Sequence, residues 1–545
     1  MLNPLKEQQL KHIELFAGCG GMSLGLEAAG FELFFANELS PMAGETFAYN
    51  MLGEDLANLS EKKLSSSKVK WIKSQYPEDK LKFRLRENPF EATNGEYTDL
   101  KTIEDIRGKL LIGDIDNLLT FFNDNQKIVE EIRNVDIDLL SGGPPCQSFS
   151  LAGKREKNNH KNLLPLSFAK IAGLIQPKVV LLENVKGITS PFDEGGEKYY
   201  AWLEVCKAFA LEGFVPVCMM LNSKFYGVAQ NRPRFIMIAY RYDVFSRLFS
   251  SSRKNQILIS SNNFYKLVKK KHNNLSDIGI HDFNYYDIDN DPELFDGLLF
   301  PEITNREGDF VSVLEAIGDI RRTEIDYNVS TIKKGYSGKI NLTLKNKHHD
   351  VVKVQNHEPR NHNFGTKARF RFYQVINEFQ NGLKKGATDL FTGKEIDDET
   401  KERLTLAFLN YNLYFKGTNG EFYKKPKTLS EVNNLLRTIP TKKHSQRALL
   451  EYEPAPAQLT IPDDLCHYHM ENLRTLTVRE MARFQSFPDW FVFRSKVTTG
   501  GDGRKFEVPQ YTQVGNAVPP LLALSLGNMI SRILNVMYYG KISED

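Results

Sequence analysis

Short apolar runs, each followed by a glycine turn or an amphipathic stretch, set the pattern of the first 240 residues. The segment 12–30, HIELFAGCGGMSLGLEAAG, predicts a buried strand at 13–16 and a turn at Gly18, Gly20 and Gly21. A helix follows, with Met22, Leu24, Leu26 and Ala29 among its apolar positions. Further strands are predicted at 32–37, in LLIGDI at 110–115, before Ser141, at 179–182, at 215–221 and at 235–240. Helical periodicity separates them at 163–175 and 199–212. Strands alternating with helices predict an α/β fold around a mostly parallel sheet. Near the end, Thr477 with Glu480 three residues on predicts a capped helix, and 521–530 is an apolar helix.

The loops that end these strands carry the chemistry. A glycine turn opening a helix lets a ligand approach the backbone beside a positive helix end. Strict GxGxxG is absent, which weakens a nicotinamide reading. Glu38 ends the second strand about 20 residues past the glycines, a position that suits ribose hydroxyls. On residue types alone, a generic nucleotide site and a structural turn both remain open there. Asp114 ends the 110–115 strand. Cys146 sits in Ser141–Ser150, SGGPPCQSFS, where glycines and prolines turn the chain stiffly. A cysteine so presented suits nucleophilic catalysis better than the role of a packed core thiol. Glu183 follows the 179–182 strand, and Arg232 and Arg234 in QNRPR share one side of the next strand by period two.

FAGCGG with a downstream NE, PPCQSFS, ENV, QNRPR, RTLTVREMARFQSFP and GNAVPP resemble, in order, the motifs of DNA cytosine-5 methyltransferases of the bacterial restriction-modification type. The resemblance covers roughly residues 12–240 and 472–530. It implies a Rossmann-like S-adenosylmethionine-dependent methyltransferase domain with a separate, smaller target recognition domain. It implies that Cys146 is the nucleophile at cytosine C6, that Glu183 engages N3, and that Arg232, with Arg234 beside it, holds O2 and the Glu183 carboxylate. Phe16, Gly18, Gly20, Glu38 (ribose), Asp114 (adenine), Pro144 and Asn516 would line the S-adenosylmethionine pocket. Residues 151–160 would close over double-stranded DNA. No metal is expected. The chain would protect host DNA from a cognate restriction endonuclease.

Domain expectations follow: residues 1–240 as the catalytic and cofactor-binding domain, 241–471 as the recognition domain, and 472–545 returning to complete the first. The charged stretch at about 50–108 reads as an insertion, either a solvated face or an accessory DNA contact. Within the middle interval, residues 356–372, NHEPRNHNFGTKARFRF, concentrate types that reach phosphates and base edges.

Composition narrows little more. A net charge of +3 with 26% charged residues permits nucleic-acid binding without requiring it. Five cysteines without a CxxC pair argue for a reducing compartment, and Cys466-His467-His469 lacks a second ligand pair. No signal-peptide pattern and no long unbroken apolar stretch is present, so a cytoplasmic, DNA-associated protein off the membrane is expected. A tRNA-methylating relative would lack so large a middle interval. A catalytically silent DNA-binding homologue would have no reason to retain Cys146, Glu183 and Arg232 together.

Overall fold

A computed structural model describes residues 9–92, 94–145, 163–194, 197–251, 255–321, 328–329, 332, 334–380, 382–441, 443, 446–458, 460 and 462–539. Cys146 and the 151–160 loop therefore lie outside the described residues. Nine of the described strands form one sheet. In chain order they are β1 (Leu10–Leu15), β2 (Phe31–Glu38), β3 (Val69–Trp71), β4 (Lys109–Ile112), β5 (Leu139–Gly142), β6 (Val179–Val185), β7 (Phe214–Asn222), β8 (Pro233–Arg241) and β9 (Tyr286–Asp287). Their spatial order is β9-β7-β8-β6-β5-β1-β2-β4-β3. Every pairing is parallel except the two made by β8, which runs antiparallel to both β6 and β7.

Both faces of the sheet are covered, and the strands are apolar on both sides accordingly. Leu140, Val180 and Leu182 turn to one face, under the helices Leu164–Ile175 and Ala201–Leu211. Their neighbours Leu139, Val179 and Leu181 turn to the other. That second face packs against Gly21–Ala28 and the long C-terminal helix Pro520–Tyr539. Gly21 and Gly25 make this packing possible, since a Cβ would stand 2.4 Å from the Val518 carbonyl or 2.3 Å from the Pro520 carbonyl. The C-terminal helix is long and apolar enough to cross a membrane, yet its apolar side is spent on this contact.

The interval after β8 stays on the sheet beyond residue 241. Val244, Phe245, Leu248, Ile257 and Leu258 pack on one face of the sheet, Phe264, Val268 and Phe283 pack on the other, and β9 pairs with β7. Amphipathic helices that follow a sheet edge bury their apolar side on the nearest unfilled core, whatever the charges on their other side. A separate hydrophobic cluster runs from Ala368 to Ile439 and takes in Ala448, Cys466 and Leu473. The 50–108 stretch is likewise not all insertion. β3 joins the sheet, and Trp71, Leu81 and Leu85 are buried. Arg84 stacks over Trp71 at 5.1 Å and pairs with Asp99.

Residues 356–372 also differ from expectation. Asn356 is buried and bonds Phe493 O and the Gln510 side chain, while His357 bridges Thr477 Oγ1 and Ile320 O. Arg371 donates to Asn412 O. Asn356 and His357 join the middle interval to the C-terminal segment, while Arg371 ties the interval to itself. Residue type cannot tell a surface asparagine from one that satisfies buried backbone.

Candidate active site

The chain leaves β1 at Phe16, which adopts φ +55°, a conformation rare for an aromatic residue. Its half-buried ring tilts against Phe168 at 6.2 Å. Gly18 follows at φ +57°, and a Cβ there would meet nothing within 4 Å. Its amide donates to Glu38 Oε2 at 2.8 Å, and Ser40 N donates to Oε1 at 2.8 Å. The Glu38 carboxylate therefore ties the glycine loop to the end of β2. Burial raises its pKa and these amides oppose the rise. Gly113 N donates to Glu38 O, which brings the Asp114 turn alongside. Asp114 itself caps the helix Ile115–Asp124 by accepting Asp116 N at 2.8 Å. Asn516 is exposed at the end of the helix Gln510–Asn516.

Gly20 behaves differently from Gly18. It has φ +96°, its amide donates to Ala17 O, and a Cβ would press on Met51 and Phe47 at 3.0 and 3.1 Å. Gly20 serves the turn and the core beneath it, while Gly18 offers open backbone.

Next to this loop in the sheet lie the ends of β5 and β6, in register at Gly142 and Leu182. Glu183 comes one residue later, and its Oε2 would lie 3.1 Å from a Cβ on Gly143. Asn184 Nδ2 donates to Pro144 O at 3.1 Å. Asn184 thus braces the loop that leads into Cys146, and Glu183 stands beside it. Asn184 escaped the sequence reading, although its place directly after Glu183 was the signal available.

The arginines divide the work otherwise than expected. Arg234 Nε stands 2.6 Å from Glu183 Oε1, both side chains nearly buried. Arg232 turns instead to the turn holding Asn516, where its Nη2 donates to Gly515 O at 2.9 Å and Ala517 O at 3.2 Å. Glu183 sits opposite Ile236 in the register, so of two side chains on one face only the nearer arginine can reach it. Burial lowers both guanidinium pKa values, and Glu183 raises that of Arg234 in return. Among the described residues, no group of three or more His, Cys, Asp or Glu side chains is placed to hold a metal.

The model of the family described as C-5 cytosine-specific DNA methylase matches residues 10–79 and 98–532. This chain belongs to that family. Among its relatives, the type II methyltransferase M.DdeI of Desulfomicrobium norvegicum is 23% identical over 520 residues, covering 95% of this chain and 88% of the relative. M.XorII of Xanthomonas oryzae pv. oryzae is 25% identical over 530 residues, with 96% and 84% covered. M1.HphI of Haemophilus parahaemolyticus is 23% identical over 529 residues, with 96% and 87% covered. The chain is accordingly a C-5 cytosine DNA methyltransferase by family, and these relatives are named type II methyltransferases. Within the methyltransferase the family's late segment is a buried knot. Arg474 holds Glu480 through two bonds of 2.7 Å, Arg483 pairs with Asp489, and Arg479 donates to the carbonyls of Gln355, Pro488 and Phe491.

Proposed function

We propose that this chain methylates C5 of a cytosine flipped out of a specific duplex DNA sequence, through a covalent bond from Cys146 to C6. The observation that carries the reading is the Glu183–Arg234 pair set beside Gly143, with Asn184 holding Pro144 O, three and two residues before Cys146.

The target atoms of a stacked base are out of reach of this loop, so the nucleotide must leave the helix. The Cys146 thiolate then adds to C6, and the C5–C6 π electrons move to C5 as N3 takes a proton or a strong hydrogen bond. Glu183 is the group for N3, and the fixed Arg234 guanidinium orients its carboxyl and faces O2. Arg232 secures the turn carrying Asn516. Bound S-adenosylmethionine supplies the electrophilic methyl group. Its pocket is supported by the open Gly18 backbone, by the strained Phe16 whose ring suits a sulfonium, and by unspent acceptor capacity on Glu38. Pro144, Asp114 and Asn516 complete the pocket, while Gly20 shapes the turn. After transfer, C5 loses its proton to a base, electrons return to the C5–C6 bond, and Cys146 leaves. The cluster from Ala368 to Ile439 is the recognition domain, and the modification protects host DNA from a cognate endonuclease.

Expression in a host lacking cytosine methylation, followed by bisulfite sequencing of its DNA and tRNA, tests this reading. Protection of cytosine at one short DNA motif, abolished by Cys146→Ala, is the expected result. Methylation confined to tRNA, or none from folded protein, overturns it.

A further inference from the structure

The Asp114 end of the cleft is built partly by residues that the family model does not cover. A cavity of about 10 Å³ lies between Leu39, Gly113 and Asp114 on one side and Trp71, Glu87 and Pro89 on the other. Pro41, Glu87 and Pro89 also line a second cavity of about 200 Å³, together with Ser40, Arg86 and Phe506. Leu39 and Asp114 stand just beyond the carboxyl ends of β2 and β4, the edge at which α/β sheets receive ligands. Glu87 and Pro89 belong to residues 80–97, the gap between the two matched segments.

Trp71 and Ser40, which line these cavities, are each only 3% exposed, and among the described residues neither the Trp71 indole N–H nor the Ser40 hydroxyl makes a hydrogen bond. Buried donors are rarely left so in native interiors, and where they are, a ligand or ordered water commonly completes them. Glu87 is held rigidly, accepting Ser74 Oγ at 2.8 Å and Gln75 N at 2.5 Å. The wall facing Asp114 is therefore preorganised, with a spare donor at its base.

We propose that Trp71, Glu87 and Pro89 form the outer wall of the purine subsite for the adenosyl cofactor. They position Asp114 and the purine edge and set this chain's cofactor affinity. The inference rests on the reading that the Gly18–Glu38 loop binds that cofactor. In this arrangement Trp71 and Glu87 are positioning residues: they act on affinity and leave the reacting atoms alone.

Calorimetric titration with S-adenosylhomocysteine tests it on the full-length protein. Trp71→Phe keeps the ring and removes the donor, and Glu87→Gln keeps the shape and removes the charge. Each is expected to weaken binding 5- to 20-fold and to raise KM for the methyl donor by the same factor, with kcat at saturation and KM for DNA within twofold of the parent. Hydrogen exchange on the unmutated protein gives an arm independent of variant folding. Amides of residues 85–92 should gain protection when S-adenosylhomocysteine binds. Parent-like affinity in both folded variants, or no added protection at 85–92, overturns the proposal. Glu38→Ala separates the two layers. If it abolishes binding while the wall variants bind normally, only the wall is wrong. If it binds normally too, the cofactor reading fails with it.

Discussion

Glu183 and Glu480 are both buried carboxylates facing arginines, and they do opposite things. Both oxygens of Glu480 are committed: Arg474 supplies a bond to each, and Thr477 N donates a further one to Oε2. These interactions pull its pKa down to about 2 against the burial that would raise it. Glu183 spends one oxygen on Arg234 and turns the other to the Gly143 loop, where among the described residues it makes no hydrogen bond. A carboxylate with both oxygens committed holds structure. One with an open oxygen beside a nucleophile loop is available for chemistry.

The sharpest test of this contrast is paired substitution. Glu183→Gln should lower kcat by about 10²- to 10⁴-fold, the usual span for a lost general acid or base, in the protein that stays folded, since Arg234 loses its charged partner too. Glu480→Gln should do the reverse. Unbalancing a buried ion pair costs about 3–5 kcal/mol, seen as a large loss of denaturant midpoint with activity kept in whatever remains folded. Equal loss of activity from both, at unchanged stability, would erase the distinction.

Acid sharpens the same point. A folded-state pKa of about 2 lies below the ordinary 4.5, so the stabilisation from Glu480 is full above pH 4.5 and is lost as pH falls toward 2. Its size is about 3 kcal/mol. Glu14, buried beside Ser23, has its pKa raised to about 8 by desolvation. Here the folded state keeps a proton that the unfolded state releases, so stability should fall between pH 4.5 and 8. The slope is at most about 1.4 kcal/mol per unit, and Glu14→Gln should flatten it in urea titrations across that range.

The smallest effect separates two neighbouring glycines. Gly18→Ala meets no atoms and costs about 1 kcal/mol for its left-handed backbone, but it should weaken S-adenosylhomocysteine binding. Gly20→Ala presses on Met51 and Phe47 and should cost more in stability than in affinity, read by melting and titration together.

Much of the site was legible before any coordinates. The strand end at Glu38, the capping box at Thr477 and the apolar helix near the C-terminus follow from local periodicity and turn chemistry, whereas Asp114 caps a helix two residues past its strand and β6 runs on to Val185 beyond Glu183. The pairing of Glu183 was not legible. Period two places Arg232 and Arg234 on one face, and only the antiparallel register of β8 against β6 decides which one reaches the carboxylate. Nor could the polar stretch at 356–372 be told from a DNA-reading surface, because Asn356 bonds Phe493 O and His357 bonds Thr477 Oγ1, each more than a hundred residues away.

By itself, the sequence determined the chemistry on offer: which strands exist, which loops end them, and which side chains those loops carry. These depend on neighbours a few positions apart, where steric and hydrogen-bonding preferences act directly. The tertiary structure alone decided which groups are spent and which are free, where the sheet's partners end, and that Trp71 and Glu87 come to face Asp114. Those outcomes hang on packing between distant segments, and no local rule encodes the competition that settles it.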